Sequence, residues 1–152
     1  MQRKDKEITE QDVIEEIIKK AQVCRLAVSY EKMPYIVPMS FGYSNKTLYF
    51  HSSQTGLKLM ILRENPQACF EMEIDTQIVP NELPCNWTMR YQSVIGFGEV
   101  EFIEELDAKR EGMQVIMHHY TDDKVVIEDA ALSGVTLFKL NISSMMGKKS
   151  GY

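Results

Sequence analysis

His51-Ser52-Ser53-Gln54-Thr55-Gly56-Leu57-Lys58 gathers an imidazole, hydroxyls, a glycine and a lysine into one short segment. It lies where a β-prone run, 47–52, gives way to a helical run that begins at Leu57. Exposed amides at a helix start, supplemented by hydroxyls and a cation, make a cradle for a phosphate group. The same residues would also serve as a solvated turn whose Ser and Thr cap the helix, with Lys58 an ordinary surface lysine. Spacing alone leaves both open.

Two further stretches carry polar or aromatic groups in suggestive places. Val37-Pro38-Met39-Ser40 sits on the preceding strand, expected to be the hairpin neighbour of 47–52. Pro38 cannot donate to a ladder, so it marks an edge, a bulge, or a place where a ligand covers the backbone. Trp87-Thr88-Met89-Arg90-Tyr91-Gln92-Ser93 follows a proline-rich loop; Trp87 either stacks on a ring system or fills the barrel mouth, and Ser93 is a ligand donor or a surface hydroxyl.

Other chemistries lack their residues. His118 and His119 are adjacent, so on a helix they point about 100° apart and cannot ligate a metal together as an i, i+4 pair does. Asp122-Asp123 lacks the glycine and spaced acids of a calcium loop. Cys24, Cys69 and Cys85 form no CxxC pair and suggest reduced thiols rather than disulfides or zinc. There is no Gly-x-Ser-x-Gly and no Walker loop, and Gly96-Phe97-Gly98 lies inside a strand without a third glycine. The ten methionines read as core filler.

The elements that must position these groups follow from periodicity. Val13, Ile14, Ile17, Ile18 and Ala21 recur at helical spacing after Thr9, predicting a helix over 9–21. Strands are predicted at 23–29, 34–43 and 47–52, then a short helix from Leu57 that Asn65-Pro66 ends. Two long strands, 67–79 and 91–103, flank the loop at 80–84, with Gly96 and Gly98 placed for a sharp bend. A helix over 106–120 and a last strand over 135–142 complete the series, while 1–8 and 146–152 are expected to be flexible. Six strands with short helices plugging the ends suggest a mainly β, closed antiparallel barrel in one domain spanning 1–152.

Composition agrees with a folded domain: 44% of residues are hydrophobic and 26% charged, outside the range of disordered chains. The net charge is −5 and no basic stripe appears, which argues against a nucleic-acid partner. No apolar run approaches the length of a membrane span, so the expected location is cytoplasmic.

Taken in order, residues 34–43, Leu48-Tyr49-Phe50-His51-Ser52, Gly56-Leu57-Lys58, Asn65-Pro66 and residues 91–98 resemble the FMN-binding split-barrel superfamily, the pyridoxamine 5'-phosphate oxidase-like proteins, and within it the nitroimidazole-resistance branch. The resemblance covers most of the chain and rests on the whole series rather than on one motif. It implies a six-stranded antiparallel Greek-key split barrel, a homodimer, and FMN bound at the subunit interface with its phosphate over the loop after the third strand. Lys58 matches the phosphate-binding lysine, while Leu57 stands where the oxidases have an arginine, removing one bidentate clamp. Val37, Pro38, Met39 and Ser40 match the strand along the isoalloxazine. His51 and Ser52 match the pair between flavin and phosphate, and Ser93 matches a polar flavin contact where glutamine is usual.

The tail lacks the oxidases' arginine-rich motif, which argues against vitamin-phosphate oxidation; Lys148 and Lys149 are left as candidates to cap an anion across the dimer. The implied activity is FMN-dependent reduction of a small flat acceptor such as a nitroaromatic or quinone, with His51 as hydrogen-bond donor or proton source. A binding module that stores or senses flavin or haem without turnover, and a structural dimer that has lost its cofactor, are the rival readings.

Overall fold

The computed structural model describes residues 4–152. In chain order its elements are β1 (Glu7–Ile8), α1 (Gln11–Lys20), β2 (Cys24–Tyr30), β3 (Met33–Met39), β4 (Gly42–Ser44), β5 (Thr47–Ser52), α2 (Leu57–Glu64), β6 (Gln67–Val79), β7 (Thr88–Ile103), α3 (Leu106–Tyr120), α4 (Asp129–Ser133) and β8 (Thr136–Ser150). Short 3-10 turns lie at Lys4–Lys6 and Pro84–Asn86. The expected mainly β, antiparallel class is therefore the observed one. The two additional strands are the two-residue β1 and the short β4, which separates from β3 where the predicted run 34–43 breaks at Ser40-Phe41.

Hydrogen-bonded neighbours run β3-β2-β6-β7-β8-β5-β4, with β1 added to β8. Ser40 and Phe41 alone connect β3 to β4, the two ends of that order. Three Cα steps reach at most about 11 Å, so the sheet must roll until its ends meet. The result is a barrel with a seam, because no ladder joins β3 to β4. Phe41 pins the seam from inside: it is fully buried, its N–H donates to Tyr120 Oη at 3.0 Å, and its ring lies 4.2 Å from that of His119.

The expectation that Val37–Ser40 would be a hairpin neighbour of β5 is corrected. β3 pairs only with β2, and β5 pairs with β4 and β8. The prolines explain the edge position: Pro34 and Pro38, four residues apart, turn their ring nitrogens to the same side of β3, and only an unpaired side tolerates both.

The barrel is filled by inward residues of alternate positions, among them Leu26, Phe41, Leu48, Phe50, Phe70, Met72 and Phe138. Phe50 and Phe138 stack with centroids 5.3 Å apart. Ile14, Ile17 and Ile18 of α1 join this core, as the helical spacing predicts. The long β7 and β8 bend at a register shift between Phe97 and Gly98. A Cβ on Gly96 would lie 2.3 Å from the Phe70 ring, and one on Gly98 would lie 2.3 Å from the Asn141 carbonyl, so the bend needs glycine at both.

The tail is the second correction. Of the segment 146–152, residues 146–150 are strand: they continue β8 and pair with 91–95 of β7, and Glu7 and Ile8 pair with Lys148 and Gly147 in turn. β7 is sixteen residues long, and its backbone groups need partners along the whole length. Tyr152 Oη donates to the Asp75 carbonyl at 2.6 Å and Lys6 Nζ to Ser150 Oγ at 3.1 Å, fixing the ends. Residues 1–3 of the expected flexible segment 1–8 lie outside the described residues.

Candidate functional site

At the end of β5 the chain turns through Ser53–Gly56 into α2. Gly56 is the N-cap with φ 139°, a backbone open to glycine, and it offers no side chain to the helix. The nearby polar side chains are engaged elsewhere: Ser53 Oγ donates to the Thr55 carbonyl at 2.8 Å and Gln54 Nε2 to the Ser133 carbonyl at 2.7 Å. The capping role that the sequence left open is therefore not realised. The leading amides of α2 lack a side-chain cap and remain able to bind an anion.

Ser52 gives this turn its sharpest feature. The residue is 6% exposed and its Oγ has no hydrogen-bond partner. A buried hydroxyl left unbonded costs about 1–3 kcal/mol, so its place beside an uncapped helix start fits a bound acceptor. Lys58, half-buried on the first turn of α2, has no carboxylate partner among the described residues. Hydroxyl, amides and free ammonium together fit a phosphate.

β4 covers β5 only from Thr47 to Tyr49, so from Phe50 to Ser52 β5 is paired on one side alone, with β8. Since β5 runs back antiparallel to β4, these residues extend past Gly42 toward the β3 side of the seam. The cradle and the unpaired edge of β3 thus flank the same split. His51 is exposed, its side chain opposite in direction to those of Phe50 and Ser52. On β3 the alternation divides the predicted residues. Val37 and Met39 turn into the core, leaving backbone groups for any ligand, whereas Pro38 and Ser40 are exposed.

Ser93 is elsewhere. It lies on the outer face of the sheet in a cleft of about 340 Å³ with Glu71, Glu73, Tyr91, Ile95 and Lys148. Ser93, on β7, stands three strands from β3 and two from β5 in the sheet order. One chain therefore holds the predicted residues as two separated groups.

The family model for pyridoxamine 5'-phosphate oxidase matches residues 10–149. The chain belongs to the pyridoxamine 5'-phosphate oxidase family. Among solved members of that fold, a candidate 5-nitroimidazole antibiotic resistance protein from Bacteroides thetaiotaomicron is 37% identical, with TM-score 0.84 over 94% of this chain and 86% of its own. The FAD and heme binding protein from Mycobacterium smegmatis is 21% identical, with TM-score 0.85 over 97% of this chain and 74% of that one. The flavocytochrome Anf3 from Azotobacter vinelandii is 16% identical, with TM-score 0.83 over 96% and 70%. The last two show the shared fold alone. No curated protein sequence matches the chain.

Within this family fold, several groups are placed where the sequence did not predict. Trp87 neither fills the barrel mouth nor lies in the core: it is 55% exposed, with Nε1 donating to the Asn81 carbonyl at 2.7 Å. Lys148 lines the Ser93 cleft, whereas Lys149 does not. Arg25 Nη1 bonds both Glu73 Oε2 at 2.7 Å and Glu71 Oε2 at 3.2 Å beside that cleft. This cluster is hidden in the sequence because Glu71 and Glu73 fall at the polar positions of an alternating strand, which read as solvated. Burial, then the hydrogen bond and charge of Glu73, push the Glu71 carboxyl up to about 7 against the opposing pull of Arg25. His119 is committed to the Ala21 carbonyl at 2.6 Å. No helix among the described residues is long and apolar enough to cross a membrane.

Proposed function

We propose that the chain is a cytoplasmic, homodimeric FMN-dependent oxidoreductase that reduces a small flat acceptor, a nitroaromatic or a quinone. The observation that carries this reading is the unbonded, buried Ser52 hydroxyl beside the uncapped start of α2 and the unpaired Lys58. FMN, when bound, supplies the transfer of electrons between a reduced donor and the acceptor.

The residues of this chain do the rest. Lys58 and the leading amides of α2 hold the phosphate, and Ser52 Oγ donates to one of its oxygens. The seam-side edge of β3, through backbone groups of 37–40, orients the ring system, with Val37 and Met39 anchoring that edge in the core. His51, exposed beside the cradle, donates a hydrogen bond or a proton at the reactive edge. Ser93 of the partner subunit completes the site, which accounts for two separated groups of residues on each chain. The 37% identity with a candidate 5-nitroimidazole resistance protein favours nitroaromatics among the acceptors.

The deciding experiment is an absorption spectrum and an undenatured mass of the purified protein. Two chains with two FMN molecules are expected. A colourless protein that fails to take up added FMN would overturn the reading.

A further inference from the structure

The cleft around Ser93 carries more charge than a single flavin contact requires, and strand register sets its layout in two rows. Glu73 on β6 stands opposite Ser93 on β7, which stands opposite Lys148 on β8. In the next row Arg25 on β2 stands opposite Glu71 on β6, and Glu71 opposite Ile95 on β7. Residues directly opposite have Cβ atoms about 4.5–5.5 Å apart and diagonal ones about 7–8 Å apart, so a ligand resting on Ser93 lies within reach of long side chains from both rows. The cleft measures about 340 Å³, and Glu71 and Lys148 both line it.

The charges are unevenly matched. Arg25 Nη1 lies 2.7 Å from Glu73 and 3.2 Å from Glu71, so one guanidinium nitrogen serves two carboxyls and Glu73 holds the shorter ion pair. Burial, then the hydrogen bond and charge of Glu73, leave Glu71 as the carboxyl that keeps its proton toward neutral pH. The other groups packed around Glu71 do not reverse this. Cys24 on β2 and Cys69 on β6 are thiols that burial holds neutral. On β7, Ser93 and Ile95 are not ionisable, and Tyr91 presents its ring to Lys148, whose Nζ lies 5.7 Å from the ring centroid. Lys148 has no carboxylate partner among the described residues, although Glu7 is its register neighbour on β1. An acid and an unpaired ammonium thus face one cleft.

We propose that Glu71 is the proton donor to an oxygen of the electron acceptor, and that Lys148 binds that oxygen. The proposal deepens the flavin reading and rests on it; it gives the proton to Glu71 where that reading leaves His51 either a hydrogen bond or a proton. The step balances with groups already named. A quinone gains a hydride from reduced FMN at one carbonyl oxygen and a proton at the other. The Glu71 O–H bond breaks as the acceptor O–H bond forms, leaving a hydroquinone, oxidised FMN and a carboxylate that Arg25 stabilises. Solvent at the mouth of the cleft returns the proton. The Lys148 ammonium offsets negative charge on the oxygen before the proton arrives. On the same count a nitro group loses one oxygen as water and ends as a nitroso group.

The test takes FMN-loaded protein reduced with one equivalent of dithionite, so that no natural electron donor is needed, and mixes it with duroquinone, whose ring has no free position for a cysteine to add to. Glu71→Gln is expected to slow flavin reoxidation about a hundredfold below pH 7 and to abolish the decline that wild type shows above it, whereas Glu71→Asp keeps that decline. Lys148→Ala is expected to raise the half-saturating duroquinone concentration about tenfold or more, and Lys148→Arg to restore it. Apart from turnover, the carbon-13 signal of the Glu71 carboxyl, assigned by its loss in Glu71→Gln, is expected to move when durohydroquinone is added to the oxidised, FMN-loaded protein. A protein that binds FMN and reduces the quinone, yet in which Glu71→Gln changes neither rate nor pH profile or the carboxyl signal ignores the hydroquinone, overturns the assignment and leaves the flavin reading standing. A protein that takes up no FMN, or holds it without reducing the quinone, overturns the flavin reading and the assignment with it.

Discussion

Arg25 reaches Glu71 across the outer face of the barrel with Nη1 3.2 Å from Oε2, yet it does not bring that carboxyl back to its ordinary range. Arg25 is shared with Glu73, and burial of Glu71 outweighs the remaining attraction. The carboxyl rises from the ordinary 4.5 to about 7, so the folded protein binds this proton more tightly than the unfolded chain. Stability from this group is fully present below about pH 4.5 and is lost as pH rises toward 7. Glu71→Gln removes the titration. The difference in unfolding temperature between variant and wild type should therefore shift in the variant's favour from pH 4.5 to 7 and level off above it. A constant difference would show that Glu71 does not titrate in that window.

Lys58→Ala tests the cradle from its charged side. Losing a charge-assisted hydrogen bond costs about 1.5–3 kcal/mol, which corresponds to about 10- to 150-fold in FMN affinity. Lys58→Arg should recover much of it. Titration of flavin fluorescence reads both, and an affinity unchanged in the alanine variant would place the phosphate elsewhere.

Ser52→Ala separates ligand from fold by sign. Without FMN the substitution removes a buried hydroxyl that has no partner, so the apoprotein should become slightly more stable. With FMN the same change deletes a donor, and binding should weaken by about 0.5–1.5 kcal/mol. The rise in unfolding temperature that FMN produces should be smaller in the variant than in wild type; an equal rise would mean that Ser52 never meets the ligand.

His51→Ala should leave FMN bound, because the proposed phosphate contacts lie at Ser52, Lys58 and α2, while lowering reduction of a nitroaromatic or quinone. Absorption bands separate the rival haem reading: a haem complex would collapse on loss of an axial histidine. Retained FMN with unaltered turnover would remove His51 from the chemistry.

The barrel was legible because alternation is a local signal. Phe70 and Met72 against Glu71 and Glu73, and the isoleucines of α1, state their own faces. What escaped depends on partners far along the chain. The strand predicted at 135–142 runs on to Ser150 because β7 supplies a ladder that no pattern within Met145–Ser150 announces. The sequence points to Val37–Ser40 as the neighbour of β5 because short connections usually join neighbouring strands, whereas here the two-residue link crosses the seam.

The candidate site was legible at the phosphate end for a similar reason. Ser52, Gly56 and Lys58 are contiguous with the turn that orients them. Whether Ser53 caps α2 depends on a competition with the Thr55 carbonyl, and only the folded chain decides it. Ser93 could be named from its likeness to a family position, but its separation from the cradle became visible only with the sheet order.

The link at Ser40-Phe41 also sets the topology of breakage. A nick there would spare all seven pairings of the sheet and leave the core residues in the chain, but it would cut the direct strap between the first and last strands of the path. The barrel would then be a sheet whose closure depends on packing alone, held at the seam by Phe41 against Tyr120 and His119. The split that the cradle flanks on one side is thus kept to a fixed width on the other by two residues of backbone.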